Sequence, residues 1–201
     1  MDSSPDDRSG GRWTSPVLVQ PPSGGFPRQR GLTCGEVNAR SVIDALSASP
    51  RGPIRPRWTV RLFGYSLIRD IRDLLRTHGL EPRVNSAGGR SDEEKLEVLT
   101  RAIDAGSPVI VAIGNGHLRR GVDRTWARRL FGHYLTVFGY DAGGETFFVY
   151  DSYLGGEPDE PLPIGNDTRT REEMLGDWKG PIYYRAIGRD HVFIEFVRGG
   201  R

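Results

Sequence analysis

Gly132-His133-Tyr134-Leu135-Thr136-Val137-Phe138-Gly139-Tyr140 is followed by Asp141-Ala142-Gly143 and then by Gly144-Glu145-Thr146-Phe147-Phe148-Val149-Tyr150-Asp151. Both arms are rich in β-branched and aromatic residues, which pack well on a pleated surface, so strands are expected over 132–140 and 146–151. Asp141-Ala142-Gly143 reads as a three-residue hairpin loop with glycine at the position that needs a left-handed conformation. Pairing centred on Ala142 sets His133 directly opposite Asp151, each nine residues from the centre, on one face of the sheet. Cross-strand partners of that kind have Cβ atoms about 4.5–5.5 Å apart. An aspartate there accepts the proton of one imidazole nitrogen and leaves the other nitrogen to act as a base. A bulge or a different loop shifts the register by one and brings Ser152 opposite instead.

A base of this kind needs a nucleophile, and the chain has one cysteine, Cys34. From Cys34 onward Val37, Val42, Ile43 and Leu46 recur at helical spacing, ending before Pro50. The thiol therefore stands at a helix start, where the positive end of the macrodipole and the unpaired N–H groups favour the thiolate. Gly35 gives a tight entry. A thiolate beside a histidine oriented by an aspartate is the arrangement for attack on a carbonyl carbon through a thioester. Gln29, five residues upstream, has a side-chain amide able to join the Cys34 backbone N–H in holding an oxyanion.

Around these two blocks the chain reads as helices first and strands afterwards. A second helix is expected from Ser66 to His78, with Gly79 ending it, and a third from the Ser91/Glu94 capping box to Ala105-Gly106. Pro108 to Ile113 reads as a buried strand. Thr170 and Glu173 open a fourth helix through Trp178, and Ile182-Tyr183-Tyr184 and Val192 to Phe196 read as closing strands. The class is α+β. Residues 1–28 are rich in Ser, Pro, Gly, Asp and Arg and read as a flexible arm, although Val17-Leu18-Val19 is apolar enough to pin it to the body. Residues 29–201 form the domain.

Composition narrows the function. The chain has 201 residues, 36% of them hydrophobic, and a formal net charge of +2. That length and apolar content suit one domain with an ordinary core. Lys95 and Lys179 are the only lysines, so 26 of the 28 basic residues are arginine (28 − 2). The two signs of charge are interspersed, without the basic run or aromatic-basic alternation of a nucleic-acid groove, so no nucleic-acid partner is expected. A single cysteine excludes an internal disulfide and a cysteine-rich zinc site. No metal or organic cofactor is implied. The start Met1-Asp2-Ser3-Ser4-Pro5 lacks the pattern of a secretory signal, and no run approaches the roughly 18 apolar residues of a spanning helix, so a cytoplasmic protein with no membrane partner is expected.

Cys34-Gly35 opening an apolar helix, Pro108-Val109-Ile110-Val111, Gly132 to Asp141 and Phe148-Val149-Tyr150-Asp151-Ser152 occur in an order that resembles the papain-like peptidases related to the bacteriocin-processing, double-glycine-leader peptidases. The resemblance covers residues 29 to 152. It implies a papain-like fold with Cys34 as nucleophile, His133 as base, Asp151 as orienting carboxylate and Gln29 as oxyanion donor. The family usually places the glutamine six residues before the cysteine, and small apolar residues after it where this chain has Glu36-Val37-Asn38. The function expected is a cysteine peptidase or amidase acting on a peptide or peptide-like substrate. A transpeptidase or acyltransferase with the same triad, and a non-catalytic peptide-binding module or effector, are the alternatives. His117 in Asn115-Gly116-His117 is the rival base. His78 reads as a helix end and His191 as a strand edge. Arg119 to Arg129, around Trp126, reads as a solvated basic loop, with binding of an acidic partner as the alternative.

Overall fold

The computed structural model describes residues 16–30, 33–46, 66–114, 132–154 and 161–196. Among them the elements follow in the order β1 (Val17–Leu18), α1 (Cys34–Leu46), α2 (Ile68–Thr77), β2 (Pro82–Ser86), α3 (Asp92–Asp104), β3 (Val109–Gly114), β4 (Gly132–Tyr140), β5 (Thr146–Tyr150), β6 (Asp167–Thr170), α4 (Arg171–Trp178), α5 (Ile182–Ala186) and β7 (Val192–Phe196). The strands form one antiparallel sheet in the order β2-β7-β3-β4-β5-β6, with β1 added to the far end of β4. No helix among the described residues is long and apolar enough to cross a membrane.

Period-two alternation along β3 divides the core between the two faces of the sheet. Ile110 and Ala112 pack with Ala39, Val42 and Ile43 of α1 and Ile71, Leu74 and Leu75 of α2. Val109, Val111 and Ile113 pack with Leu96, Leu99 and Ile103 of α3 and Met174 and Trp178 of α4. The helices start where the sequence signals them. Ser91 accepts from the Glu94 N–H at 3.2 Å while Glu94 accepts from the Ser91 N–H at 2.8 Å, and Thr170 and Glu173 repeat the exchange for α4. The α+β class and a helix that begins at the cysteine and packs on an antiparallel sheet agree with the papain-like resemblance.

The expected arm over residues 1–28 divides. Residues 1–15 lie outside the described residues. Val17 and Leu18 pair with Tyr140 and Gly139, Val19 is buried, and the Val19 N–H donates to Phe138 O at 2.9 Å. Phe26 meets Phe138 edge to face and lies tilted against Tyr150, and the Tyr150 hydroxyl donates to Pro27 O.

Ile182-Tyr183-Tyr184 is helix α5, not a strand. Gly180 takes a left-handed φ of 76°, Pro181 caps the turn with φ −69°, and Gly188 ends it at φ 70°. β7 is already paired with β2 and β3 on its two sides, so the β-forming side chains of this segment have no strand beside β7 to join. β2 and β6, the two edge strands, carry polar sequences and were not expected.

The hairpin differs from the expected register in two steps. The Asp141 N–H donates to Thr146 O and the Asp141 carboxylate accepts from the Glu145 and Thr146 N–H groups, so four residues form the loop and Gly144, at φ 68°, holds the left-handed position. The strands then pair as Tyr140 with Phe147 and Gly139 with Phe148. Continued unchanged, that register sets Asp151 against Thr136, on the face away from His133. A bulge between Val137 and Gly139 intervenes, and below it Val137 pairs with Val149 and Thr136 with Tyr150. Asp151 thus falls against Leu135, diagonal to His133 rather than opposite it, and on the same face. A longer loop and one extra residue in β4 shift the register by two in all, and an even shift preserves the side a residue faces.

Gly139 lies at this bulge. A Cβ there meets Val17 O at 2.7 Å and Leu18 Cδ2 at 2.6 Å. Gly139→Ala is expected to displace β1 and cost about 1–3 kcal/mol, as overpacking does. Urea unfolding should show a lower midpoint and limited proteolysis should cut ahead of Val19; an unchanged midpoint with an uncut N-terminal segment contradicts this account.

Candidate active site

Cys34 is the first residue of α1 and is partly exposed. The helix is fixed at this end. A Cβ on Gly35 meets the Ser66 side chain at 2.6 Å and Ile71 Cδ1 at 2.9 Å, so only glycine lets α1 lie this close to the start of α2. Glu36 is buried and accepts the Ser66 hydroxyl at 2.8 Å, and burial pushes its carboxyl above the ordinary value. Asn38, one turn from Cys34, is wholly buried. Its Nδ2 donates to Cys34 O at 2.8 Å and to Tyr134 O at 2.9 Å, tying the helix start to β4 where β4 and the chain after β5 separate.

His133 comes from the beginning of β4 and Asp151 from the residue after β5, each 1% exposed. His133 Nε2 donates to Asp151 Oδ1 at 2.8 Å. Nε2 is thereby committed to the carboxylate, and Cys34 stands close enough to act electrostatically on the ring. Burial is the largest single influence on His133 and opposes its charge. The hydrogen bond to Asp151 and the hydrogen bond and charge of Cys34 together outweigh it, so the imidazole value rises from 6.5 to about 9.

Asp151 is held from every side. Its N–H donates to Asn166 Oδ1 at 2.8 Å while Asn166 Nδ2 donates to its carbonyl at 2.9 Å. The Tyr153 N–H donates to Oδ1 at 2.9 Å. Arg169 Nη2 lies 3.5 Å from Oδ2. Burial pushes the carboxyl up most strongly, but the His133 hydrogen bond and charge, the Tyr153 N–H and the Arg169 charge prevail and hold it below the ordinary aspartate value. Arg169 is itself 0% exposed, paired through Nη1 with Asp167 and through Nε with Asp177 at 3.2 Å.

Gln29 is buried beside the chain that follows Asp151. Its N–H donates to Ser152 O at 2.6 Å, and its Oε1 accepts the Ser152 hydroxyl at 2.7 Å. Of the other histidines, His78 caps the C-terminus of α2. His191 is buried just before β7 with its ring 5.5 Å from that of Trp178. His117 and the Arg119 to Arg129 segment lie outside the described residues. No group of three or more His, Cys, Asp or Glu among the described residues is placed to hold a metal ion. A groove of about 570 Å³ between α3 and β7, lined among others by Ser86, Val98, Arg101 and Phe193, contains none of the four expected residues.

Sequence reasoning missed Arg169, Asn166 and Asn38. One arginine among 26 carries no local mark, and Asn166 belongs to an unpatterned loop. Asn38 had a signal: four residues after the cysteine it shares a helix face with it.

Residues 62–179, more than half of the chain, match the model of the Peptidase_C39 like family. The matched stretch contains His133 and Asp151 and begins after Gln29 and Cys34. Among solved structures the chain is similar to the Pseudomonas avirulence protein AvrPphB, at 13% identity and a TM-score of 0.27 over 63% of this chain and 57% of that one. A likeness of that size bears neither on the site nor on the function. No curated protein matches the chain.

Two outcomes test the electrostatics. The folded value of His133 lies above the ordinary one, so protonation stabilises the fold; that contribution is complete below about 6.5 and disappears as pH rises through about 9. NMR titration of the imidazole should give a midpoint near 9 and a lower one in Asp151→Asn; an unaltered midpoint in that variant excludes the ion pair as the cause. Arg169→Met removes the shared cation from three carboxylates and should destabilise by about 3–5 kcal/mol, as breaking a buried pair does, with Arg169→Lys losing less. Denaturant unfolding of the two variants decides it.

Proposed function

Because this chain belongs to the Peptidase_C39 like family, within the papain-like cysteine peptidases, we propose that it is a thiol hydrolase cleaving an amide bond in a peptide or peptide-like substrate. The observation that carries the reading is the buried His133 ring, bonded at Nε2 to Asp151 and near enough to the one thiol of the chain to be influenced by it.

The steps follow from these positions. With the proton of the pair already resting on the imidazolium, Cys34 Sγ attacks the carbonyl carbon as thiolate. The tetrahedral oxyanion takes hydrogen bonds from the Cys34 backbone N–H and Gln29 Nε2. Collapse breaks the C–N bond, and the imidazolium gives its proton to the departing amine, leaving a thioester on Cys34. Water then attacks the thioester while His133 takes its proton, and the thiolate leaves beside the imidazolium so restored. Asp151 holds the imidazole in one orientation and stabilises its positive charge throughout, without itself taking the proton. Partial exposure of Cys34 against full burial of His133 and Asp151 suits a nucleophile that meets substrate and a base that does not meet bulk water.

Profiling the full chain against a peptide library, with mass spectrometry for the thioester, tests the reading. Cys34→Ala and His133→Ala should each abolish turnover and the double variant should be no worse than either, because the two act as a unit. Asp151→Asn should lose on the order of 10²–10⁴-fold and keep some activity. Gln29→Ala should lower kcat by about 10²–10³-fold and leave alkylation of the thiol nearly unchanged. Amide cleavage should fall as pH rises through about 9, where His133 gives up the proton the leaving amine needs. Turnover that persists in purified Cys34→Ala overturns the scheme, and product analysis with added amine separates hydrolysis from acyl transfer.

A further inference from the structure

An oxyanion donor works only if the nitrogen end of its amide faces the site, and a glutamine side chain has two ends of nearly equal shape. Around Gln29 the choice between them is fixed by hydrogen-bond direction. Asn38 faces two backbone carbonyls, Cys34 O at 2.8 Å and Tyr134 O at 2.9 Å, and carbonyls only accept. Its Nδ2 must therefore lie on that side and its Oδ1 on the other, where the Thr136 hydroxyl donates to it at 2.7 Å. The same Nδ2 stands 3.3 Å from Ser152 Oγ. An amide nitrogen cannot accept, so the Ser152 hydroxyl proton goes instead to Gln29 Oε1, at 2.7 Å. That places the Gln29 oxygen against Ser152 and turns Nε2 away from it. With the amide reversed, two donors flank the serine and its buried proton has no acceptor. Thr136, Asn38 and Ser152 are each 0% exposed, so water does not substitute for any of these contacts.

We propose that Thr136, Asn38 and Ser152 form a relay of polar contacts, in which Asn38 Nδ2, its two hydrogens given to carbonyls, offers the Ser152 hydroxyl no acceptor and so directs it to Gln29, setting that amide for oxyanion binding with Ser152 as the positioning residue in contact with it. This deepens the hydrolase reading and rests on it for the kinetic consequence. The relay starts on β4, crosses the first turn of the cysteine helix and ends on the residue after Asp151. One set of polar contacts thus joins the strand of the base, the helix of the nucleophile and the segment of the orienting carboxylate to the oxyanion donor. The backbone bond from the Gln29 N–H to Ser152 O holds residue 29 in place independently of the serine side chain. Removing the hydroxyl therefore loosens the amide and not the segment.

The chain has two glutamines, an exposed Gln20 and the buried Gln29, so glutamine-selective ¹⁵N labelling gives two side-chain NH₂ groups, assigned with Gln29→Ala. In the wild-type protein the Gln29 pair should be sharp and slow to exchange with solvent, and in Ser152→Ala it should broaden and exchange at least about tenfold faster. Ser152→Thr should restore much of the protection. On a peptide from the library, Ser152→Ala should lower kcat by about 10-fold or more with KM little changed and Cys34 alkylation as fast as before. In a Gln29→Ala background it should cost nothing further. An equal loss in that background, or an unchanged Gln29 NH₂ signal in Ser152→Ala, overturns the relay. If the signal responds as expected while the wild-type chain turns over no peptide, the relay stands and the hydrolase reading fails.

Discussion

Asp151 keeps a charge with almost none of its surface in contact with water, and a carboxylate so placed has to be compensated by the protein itself. One oxygen takes the His133 Nε2–H and the Tyr153 N–H; the other faces Arg169. The guanidinium is buried too, and it is held by Asp167 and Asp177. Three carboxylates thus share one guanidinium, and a proton on His133 supplies a second positive charge beside Asp151. Asp151, together with the charge of Cys34, is why the imidazole holds its proton in a place where burial alone would strip it. β6 and α4 are joined to Asp151 through the Arg169 side chain.

Most of the scaffold was legible because local chemistry and tertiary packing agree. The serine and threonine caps of α3 and α4, the apolar spacing after Cys34 and the β-branched run of β3 all specify their elements from short range. The hairpin was legible in its strands and not in its register. Two adjacent glycines leave the loop length undecided, and nothing around Phe138 announces a bulge; it is seated by Leu18 and Val17 packing over Gly139 from a distant part of the chain. His133 and Asp151 still meet, because the two departures add to an even number of residues. β2 and β6 escaped notice since edge strands expose one side to solvent and need no continuous apolar pattern. Arg83 and Asn85 of β2, for instance, point outward.

The residues that follow the cysteine show what the sequence hides when polar side chains are assumed to face water. Glu36 and Asn38 are both buried, one against the Ser66 hydroxyl and one across Cys34 O, Tyr134 O and Ser152. The helix is seated on its strand by hydrogen bonds where a close apolar packing would otherwise serve. Such a seat is directional, which suits the oxyanion role proposed for the backbone N–H at this helix start.

The place of β7 in the sheet bears on how the chain is made. β2 pairs with β7 and with no other described strand, and β7 lies between β2 and β3. During synthesis β3, β4, β5 and β6 can zip into a meander as each emerges, since their partners are near neighbours in sequence. β2 is made before any of them and has to wait, with its backbone N–H and C=O groups unpaired, until residues 192–196 appear. For most of that interval α2 lacks the strands that complete the far side of its apolar core, so it is the nascent chain short of β7 that exposes a sticky surface to chaperones or to other chains.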